Sequence, residues 1–395
     1  MPEDKAAQNK KSDGGLRNVF INALAAWPDF IVSIWRARPG GWRSLALLPV
    51  AFFVWLFHWC CLLLDEIFFP SYRHVKIKRP LFVIGPPRTG TTHLHRVMAA
   101  HEEAFTTTRA WELFLAPSVL QKKIFRFIGR GDRFCGGWIR RLAEKCERSF
   151  TCDTDHLHKS SLMQPEEDFY LLFLALACPA LIVALPHHQR SWQAAMFDDV
   201  PPRVRQGWLE LYRRCLQKHL FVFGGGRRLL SKNASANPWL KDLAHTFPEA
   251  TFAVCSRDPS EAIASMNSLA ENIRGNLGVR ETCAHSALTG LMHHHYACLQ
   301  CILPEMPDDR WFIVPIEAMR HELDATVRAL CTHAGVDITP AFATIIKEAS
   351  IEAASYRSGH HYRIHRTDFT SNAMGKVWQF IRRSESSMAA RGTSV

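Results

Sequence analysis

No Asp, Glu, Lys or Arg occurs between residues 45 and 64, which read LALLPVAFFVWLFHWCCLLL. Only His58 carries a strongly polar side chain there. A helix of about 20 apolar residues matches the hydrocarbon thickness of a bilayer. Pro49 either kinks such a helix or marks its first turn. The run also lacks a small-residue cleavage site. Asp65 and Glu66 follow instead, which argues against a cleaved secretory leader. A membrane-associated helix, spanning or dipping into one leaflet, is the preferred reading, and a buried core helix the alternative. Basic residues stand on both sides: Arg36, Arg38 and Arg43 before it, Arg73, Lys76, Lys78 and Arg79 after it. The charge asymmetry that would assign an orientation is therefore missing.

The chain is also short of metal-binding patterns. It has 12 cysteines, but Cys298 and Cys301 form its one CxxC pair, and no second CxxC completes a zinc-type set. On a helix, His294, Cys298 and Cys301 would share a face. Buried thiols beside a polar histidine face remain the simpler reading, and no metal is expected. Scattered free thiols suit a reducing compartment. Acidic residues are outnumbered, 37 against 48 Lys and Arg, which leaves a formal charge of +11 and a pI of about 9.2. That balance favours an anionic partner such as a nucleotide or an acidic membrane face.

Residues 1–17 are polar and carry Lys5, Lys10, Lys11 and Arg17; they are expected to form a disordered basic tail, as are residues 386–395. Residues 18–37 place Phe20, Ile21, Leu24, Trp27, Ile31 and Ile34 at roughly helical spacing, with Pro28 as an interruption. This amphipathic stretch and the apolar run together form a membrane-associated segment over 18–70. A catalytic domain is expected over 71–385, with no internal repeat and no low-complexity tract. Leu81–Ile84, Thr251–Cys255 and Trp311–Val314 read as buried strands, each followed by a helix. Phe221–Phe223 and Leu229–Leu230 read as short apolar runs around a turn at Gly224–Gly226. Strands alternating with helices predict an α/β fold, three layers of α/β/α with a mainly parallel central sheet.

The sharpest motif is Gly85-Pro86-Pro87-Arg88-Thr89-Gly90-Thr91-Thr92, between a strand and a helix. Backbone N–H groups and the positive helix end point at a bound anion in such a place. The spacing of Gly85 and Gly90 matches the nucleoside-triphosphatase loop GxxxxGK[ST], but Thr91 stands where that loop has its lysine. Arg88 supplies a cation instead. A single 5′-phosphate with a charged neighbour suits this loop better than a magnesium triphosphate.

PPRTGTT resembles the 5′-phosphosulfate loop of sulfotransferases that use 3′-phosphoadenosine 5′-phosphosulfate (PAPS). Residues 252–269, FAVCSRDPSEAIASMNSL, are similar to the same family's 3′-phosphate site, with Arg257 after the strand and Ser265 on the helix. Leu229–Ala234 resembles the lysine-bearing stretch between these loops and puts the lysine at Lys232. Tyr356–Tyr362 resembles a later basic-Ser-x-His-x-Tyr segment and implies Arg357 and Tyr362 at the nucleotide. The likeness covers roughly residues 79–370. It is nearest the bacterial branch and, more distantly, the protein-tyrosine sulfotransferases. It implies PAPS as co-substrate, bound by Arg88, Thr89, Gly90, Thr91, Thr92, Arg257, Ser265, Arg357 and Tyr362.

In-line sulfuryl transfer needs a base for the acceptor and cations for the leaving phosphate. By resemblance Arg88 and Lys232 serve the leaving side. Two bases are candidates. Glu112 resembles the family's glutamate after the first strand–helix–strand unit and is preferred. His158 lies before Gln164-Pro165-Glu166-Glu167 at a spacing similar to a histidine of bacterial members, and titrates near neutrality. Glu166 and Glu167 are read as first-turn carboxylates of a helix, in a segment that lines the acceptor pocket in the alternative reading, and residues 168–185 as core. The expected partners are a small-molecule or lipid acceptor and a membrane, with no nucleic acid. The sequon Asn233-Ala234-Ser235 beside Lys232 favours a cytoplasmic catalytic domain over a Golgi-type lumenal one, since a glycan there would crowd the site. A small-molecule or nucleotide kinase and a non-catalytic membrane scaffold are the rival functions.

Overall fold

Short apolar runs that alternate with helices build one parallel sheet. Its strands are β1 (Leu81–Ile84), β2 (Phe105–Thr106), β3 (Arg228–Asn233), β4 (Thr251–Ser256) and β5 (Trp311–Pro315). They lie in the order β2-β3-β1-β4-β5, and every neighbouring pair is parallel. Register sets Val83 beside Lys232, and Ile84 beside both Asn233 and Val254. The whole of β1 is buried. Its alternate side chains enter two cores, Phe82 and Ile84 one, Leu81 and Val83 the other. A parallel sheet covered on both faces results. The computed structural model describes residues 15–37, 46–134, 136–138, 141, 161–197, 200–279, 284–355 and 378–382.

Helices Thr91–Ala99, Pro259–Leu277 and Ile316–His321 follow β1, β4 and β5, as the alternation predicts. Phe221–Phe223, read as a short apolar run before a turn, is the last turn of helix Pro202–Phe223. Trp208, Leu209, Tyr212, Cys215, Leu216 and Leu220 recur at helical spacing and are buried. Pro202 lies in the first turn of that helix, and Gly224 follows its last residue.

The N-terminal segment is helical from Gly15, so Gly15–Arg17 do not belong to a tail. Helices Gly15–Ala25 and Trp27–Ala37 meet at a 43° bend, with Pro28 in the first turn of the second. Helix Leu48–Phe68 has Pro49 in its first turn and buries Trp55, Trp59, Leu62 and Asp65. Among the described residues it is the one single helix long and apolar enough to cross a membrane by length and composition; the bent pair passes the same test when counted together.

Helix Leu48–Phe68 docks on the sheet-bearing body through polar ties as well as apolar packing. The indole N–H groups of Trp55 and Trp59 both donate to the Leu174 carbonyl, each at 2.9 Å. Asp65 is fully buried and pairs with the equally buried Lys218 at 2.9 Å. Its carboxylate also accepts from the backbone N–H groups of Val119 and Leu120, at 2.7 and 2.9 Å. Those groups open helix Val119–Phe134, where a carboxylate is favoured by unsatisfied donors and by the helix dipole.

Candidate nucleotide and sulfuryl-transfer site

Ligands of open parallel sheets sit beyond the carboxyl ends of the strands, and the motif residues gather there. β1 ends at Ile84, and Gly85 turns the chain with a φ of 147°. A Cβ at Gly85 would lie 2.5 Å from the Cys255 carbonyl oxygen, so the loop passes β4 at a distance that glycine alone permits. Thr89 donates its hydroxyl to Pro86 O at 2.7 Å and ties the loop to itself. Gly90, with φ 92°, precedes helix Thr91–Ala99. Arg88 holds a φ of 70°, a left-handed conformation that costs a residue with a side chain about 1–2 kcal/mol.

Toward β4 the loop meets the second corner. Arg88 Nε donates to Ser265 Oγ at 3.0 Å. Arg257, one residue past β4, donates through Nη1 to Arg88 O at 3.2 Å. The same guanidinium pairs with Glu261 at 3.0 Å, and its backbone carbonyl accepts from Tyr296 OH at 2.8 Å. Asp258 fixes the corner by accepting from Ser260 N at 2.8 Å, a helix N-cap.

Toward β3 the loop acquires the ammonium its own sequence lacks. Lys232 Nζ donates to Thr92 Oγ1 at 2.7 Å and pairs with Glu167 Oε1 at 2.6 Å. The Lys232 side chain is almost fully buried. A neighbouring strand thus brings a cation to the start of the helix where a triphosphatase loop would carry its own.

Glu167 reaches Lys232 because residues 164–166 run against 108–110. Glu166 N donates to Thr108 O at 3.0 Å, Ala110 N donates to Gln164 O at 3.1 Å, and Arg109 and Pro165 form an antiparallel bridge. The run was expected to open an α-helix with both carboxylates in its first turn. Instead a 3-10 helix spans Asp168–Ala175, and Glu167 precedes it in an extended conformation. Burial pushes the Glu166 carboxyl up; Lys232 opposes this and Glu167 adds to it. Burial likewise pushes Asp168 up to about 7, where it accepts from Tyr212 OH at 2.8 Å. His95 sits close by, with Nε2 2.8 Å from Thr107 Oγ1. Burial, then Lys232 and Arg96, hold its imidazole well below the usual range, so it is neutral at physiological pH.

Glu112 belongs to a different polar cluster. Its Oε2 accepts from His219 Nδ1 at 2.7 Å and lies 3.9 Å from Lys122 Nζ. Its Oε1 accepts from Arg109 N at 3.2 Å. His219 Nε2 meets Thr106 Oγ1 at 2.9 Å. Burial alone would raise the Glu112 carboxyl, but His219, Lys122 and the Arg109 amide together hold it below the usual range. Lys122 also donates to Ala116 O and Pro117 O.

The structure thus brings Arg88, Thr92, Lys232, Arg257 and Ser265 together around the β1 loop. Thr89 and Gly90 shape the loop, and Thr91 is buried at the helix start. His158, Arg357 and Tyr362 lie outside the described residues. The sequence reading gave Glu167 no place beside Lys232. Its signal was its neighbourhood, a Pro-Glu-Glu run, which propensity assigns to a helix start. Among the described residues no group of three or more His, Cys, Asp or Glu side chains is placed to hold a metal. His294 and Cys298 are in contact at 3.5 Å, and His294 Nε2 also lies 3.2 Å from Met196 O.

The chain is similar to known proteins in both sequence and fold. Over 182 residues, 46% of this chain and 42% of each relative, the sequence is 25% identical to the omega-hydroxy-beta-dihydromenaquinone-9 sulfotransferases Stf3 of Mycobacterium bovis and Mycobacterium tuberculosis. The match thus spans less than half the length of these curated relatives. Sulfotransferase STF9 from Mycobacterium avium superimposes with a TM-score of 0.64 at 19% identity, covering 82% of this chain and 81% of that one. STF1 from Mycobacterium tuberculosis H37Rv gives 0.59 at 19% identity, with 85% and 84% covered. These two establish the shared fold. The profile of the sulfotransferase family matches residues 80–340, a span that runs from just before β1 to past β5 and holds both strand-to-helix corners and Lys232. By that match, the chain belongs to the sulfotransferase family.

Proposed function

We propose that this protein transfers a sulfuryl group from PAPS to an acceptor hydroxyl or amine by in-line displacement. The observation that carries this reading is the contact of Arg88 with both Ser265 and Arg257. It joins the loop suited to a 5′-phosphosulfate with the corner suited to a 3′-phosphate, so one adenine nucleotide can bridge them. The narrow turn at Gly85, the guanidinium groups of Arg88 and Arg257 and the hydroxyls of Thr92 and Ser265 suit such an anion. PAPS supplies the activated sulfuryl group. Lys232 lies where an ammonium would stabilise negative charge on the departing phosphate oxygen.

On the acceptor side we favour Glu167 as general base. Its carboxylate already touches the ammonium that faces the reacting group. It is 16% exposed, against 3% for Glu112. When Lys232 turns to the phosphosulfate, an oxygen of Glu167 is released to accept the acceptor proton. Glu112 remains the second reading, favoured by the His219 imidazole that could carry its proton toward Thr106.

The apolar helices 15–37 and 48–68 support a membrane-associated enzyme, and 71–385 the catalytic part. The Stf3 relatives are named for an omega-hydroxy menaquinone acceptor. Together these favour a hydroxylated lipid as the acceptor class here. Asn233 is fully buried, so its sequon is closed in the folded protein and no longer favours a cytoplasmic over a lumenal orientation.

Calorimetric titration of the full chain with adenosine 3′,5′-bisphosphate, with and without magnesium, tests the nucleotide reading. Tight, magnesium-independent binding is expected. Preference for magnesium ATP would replace it by the kinase, and absence of any nucleotide binding by the scaffold.

A further inference from the structure

Exposed large apolar side chains are not spread over this protein. Among the described residues, all but Met163 and Ile351 lie in 21–68 and 114–138. On helix 48–68 they form one outer stripe: Val50, Phe53, Phe57, Leu64 and Ile67, at helical spacing. Phe53 is 66% exposed and Ile67 71%. Helix 119–134 belongs to the sheet-bearing body, yet it carries a second stripe of Ile124, Phe127, Ile128 and Phe134, with Phe127 at 78% exposure. Next to that stripe runs a basic one, Lys123, Arg126, Arg130 and Arg133, exposed throughout. An apolar stripe flanked by a basic one is the pattern of a helix that lies in a lipid headgroup layer. The two helices are locked together: His58 Nδ1 lies 2.8 Å from Gln121 Nε2, and Asp65 caps helix 119–134.

The opposite face of helix 48–68 is committed to protein. Trp55, Trp59, Leu62 and Asp65 are buried, and Leu48 and Phe52 pack on the same core. Residues 55–65 alone fix about 15 Å of helix against the body. A helix that crossed a bilayer would need lipid around it over about 30 Å. Bringing this one into that position would drag Lys218 and its polar surroundings into hydrocarbon or tear the ion pair apart.

We infer that helices 48–68 and 119–134 form one monotopic docking face for an anionic phospholipid bilayer, with helix 48–68 lying along the leaflet and not across it. The inference rests on the membrane-associated reading of helix 48–68 and adds its geometry and a second, catalytic-body element. The apolar stripes enter the acyl boundary, and the basic stripe of helix 119–134 meets the headgroup phosphates. Phe114 and Leu115, both exposed, continue the face, and the Phe114 ring packs 5.0 Å from that of Tyr170, whose backbone N–H donates to Glu167 O at 3.3 Å. A lipid acceptor would thus approach the reacting groups from the membrane side.

The test is flotation of the full chain with vesicles of phosphatidylcholine alone or with phosphatidylglycerol, for wild type, Phe127→Asp and Arg130→Glu/Arg133→Glu. Wild type should float, with a clear gain on the anionic vesicles. Phe127→Asp should reduce flotation at least tenfold, and the double variant should abolish the anionic gain while binding of adenosine 3′,5′-bisphosphate is kept. A protease site inserted within 38–45 should be cut from the same side as the body. Flotation unchanged by these substitutions, or an inserted site protected on the far side, would overturn the docking geometry and leave membrane association standing. Wild type that does not float at all would remove the membrane reading itself, as cover of this face by a protein partner would require.

Discussion

Arg88 and Ser265 are 177 residues apart in the chain, and their side chains meet at 3.0 Å. The pairing follows from the sheet. β1 and β4 are neighbours in register, Ile84 beside Val254, so the loops that leave their carboxyl ends must face each other. Arg257 adds a second tie through Arg88 O. One ligand with two phosphates can therefore be gripped by both corners. Ser265→Ala should weaken adenosine 3′,5′-bisphosphate binding about five- to tenfold, as loss of one hydrogen bond worth roughly 1 kcal/mol requires. Arg257→Ala should cost about 2–3 kcal/mol, nearer a hundredfold, because a charge-assisted fork is lost. Calorimetry against adenosine 5′-monophosphate checks the assignment. If both variants bind the monophosphate and the bisphosphate with equal losses, these residues do not read the 3′-phosphate.

Glu167→Gln should lower kcat by about 10²–10⁴, the usual contribution of a general base, and leave nucleotide binding nearly intact. Glu112→Gln should act first on stability. It leaves Lys122 and His219 buried with a weaker partner, and breaking a buried pair costs about 3–5 kcal/mol. The folded Glu112 carboxyl is held below its ordinary value. Its stabilisation is therefore present above the unfolded pKa and is lost as pH falls through the folded one. Wild type should lose melting temperature on acidification more steeply than Glu112→Gln. A Glu112→Gln protein of wild-type stability with no turnover would return the base to Glu112.

The strand–helix alternation and the two strand-to-helix corners were legible because each is a local pattern, an apolar run followed by a breaker and a helix start. Lys232, one strand away, came from the resemblance of Leu229–Ala234 to the family's lysine-bearing stretch. Glu167 beside Lys232 was not legible. Its contact with Lys232 depends on residues 164–166 pairing with 108–110, a non-local hydrogen-bonded segment without periodicity of its own. For Phe221–Phe223 the sequence showed only a short apolar run before a glycine turn; the preceding residues of helical spacing carry it as the last turn of a helix. The apolar run at 45–64 announced a helix but not its buried face, because Asp65, which fixes its docking, lies just outside the run.

Asp65 and Lys218 are both fully buried and 2.9 Å apart, which makes this pair the anchor of helix 48–68. Lys218→Met removes one partner and leaves a carboxylate in the core, at a cost of about 3–5 kcal/mol. Asp65 also caps helix 119–134, so Asp65→Asn should be milder, keeping an acceptor for Val119 N and Leu120 N. Limited proteolysis of the full chain should show helix 48–68 released first in Lys218→Met. Global unfolding with no early cut there would mean that the helix is integral to the core and not a separable docked element.

Asp168 gives a pH dependence of the opposite sign to Glu112. Burial raises its carboxyl from 3.8 to about 7 in the folded protein. The folded state therefore holds a proton that the unfolded chain has already released between these values. Stability from this group is full below 3.8 and falls as pH rises to about 7, after which it is flat. Three units correspond to about 4 kcal/mol at the upper limit. Asp168→Asn keeps an oxygen for Tyr212 OH and cannot ionise. Chemical denaturation from pH 4.5 to 8 should show wild type weakening toward the alkaline side relative to Asp168→Asn, with the two curves converging at the acid end. Parallel curves would mean that Asp168 is ionised in the fold and held by a cation in addition to its hydroxyl neighbours. In that case the acidic centre next to Lys232 would carry one more negative charge, and the base assigned to Glu167 would have to work beside it.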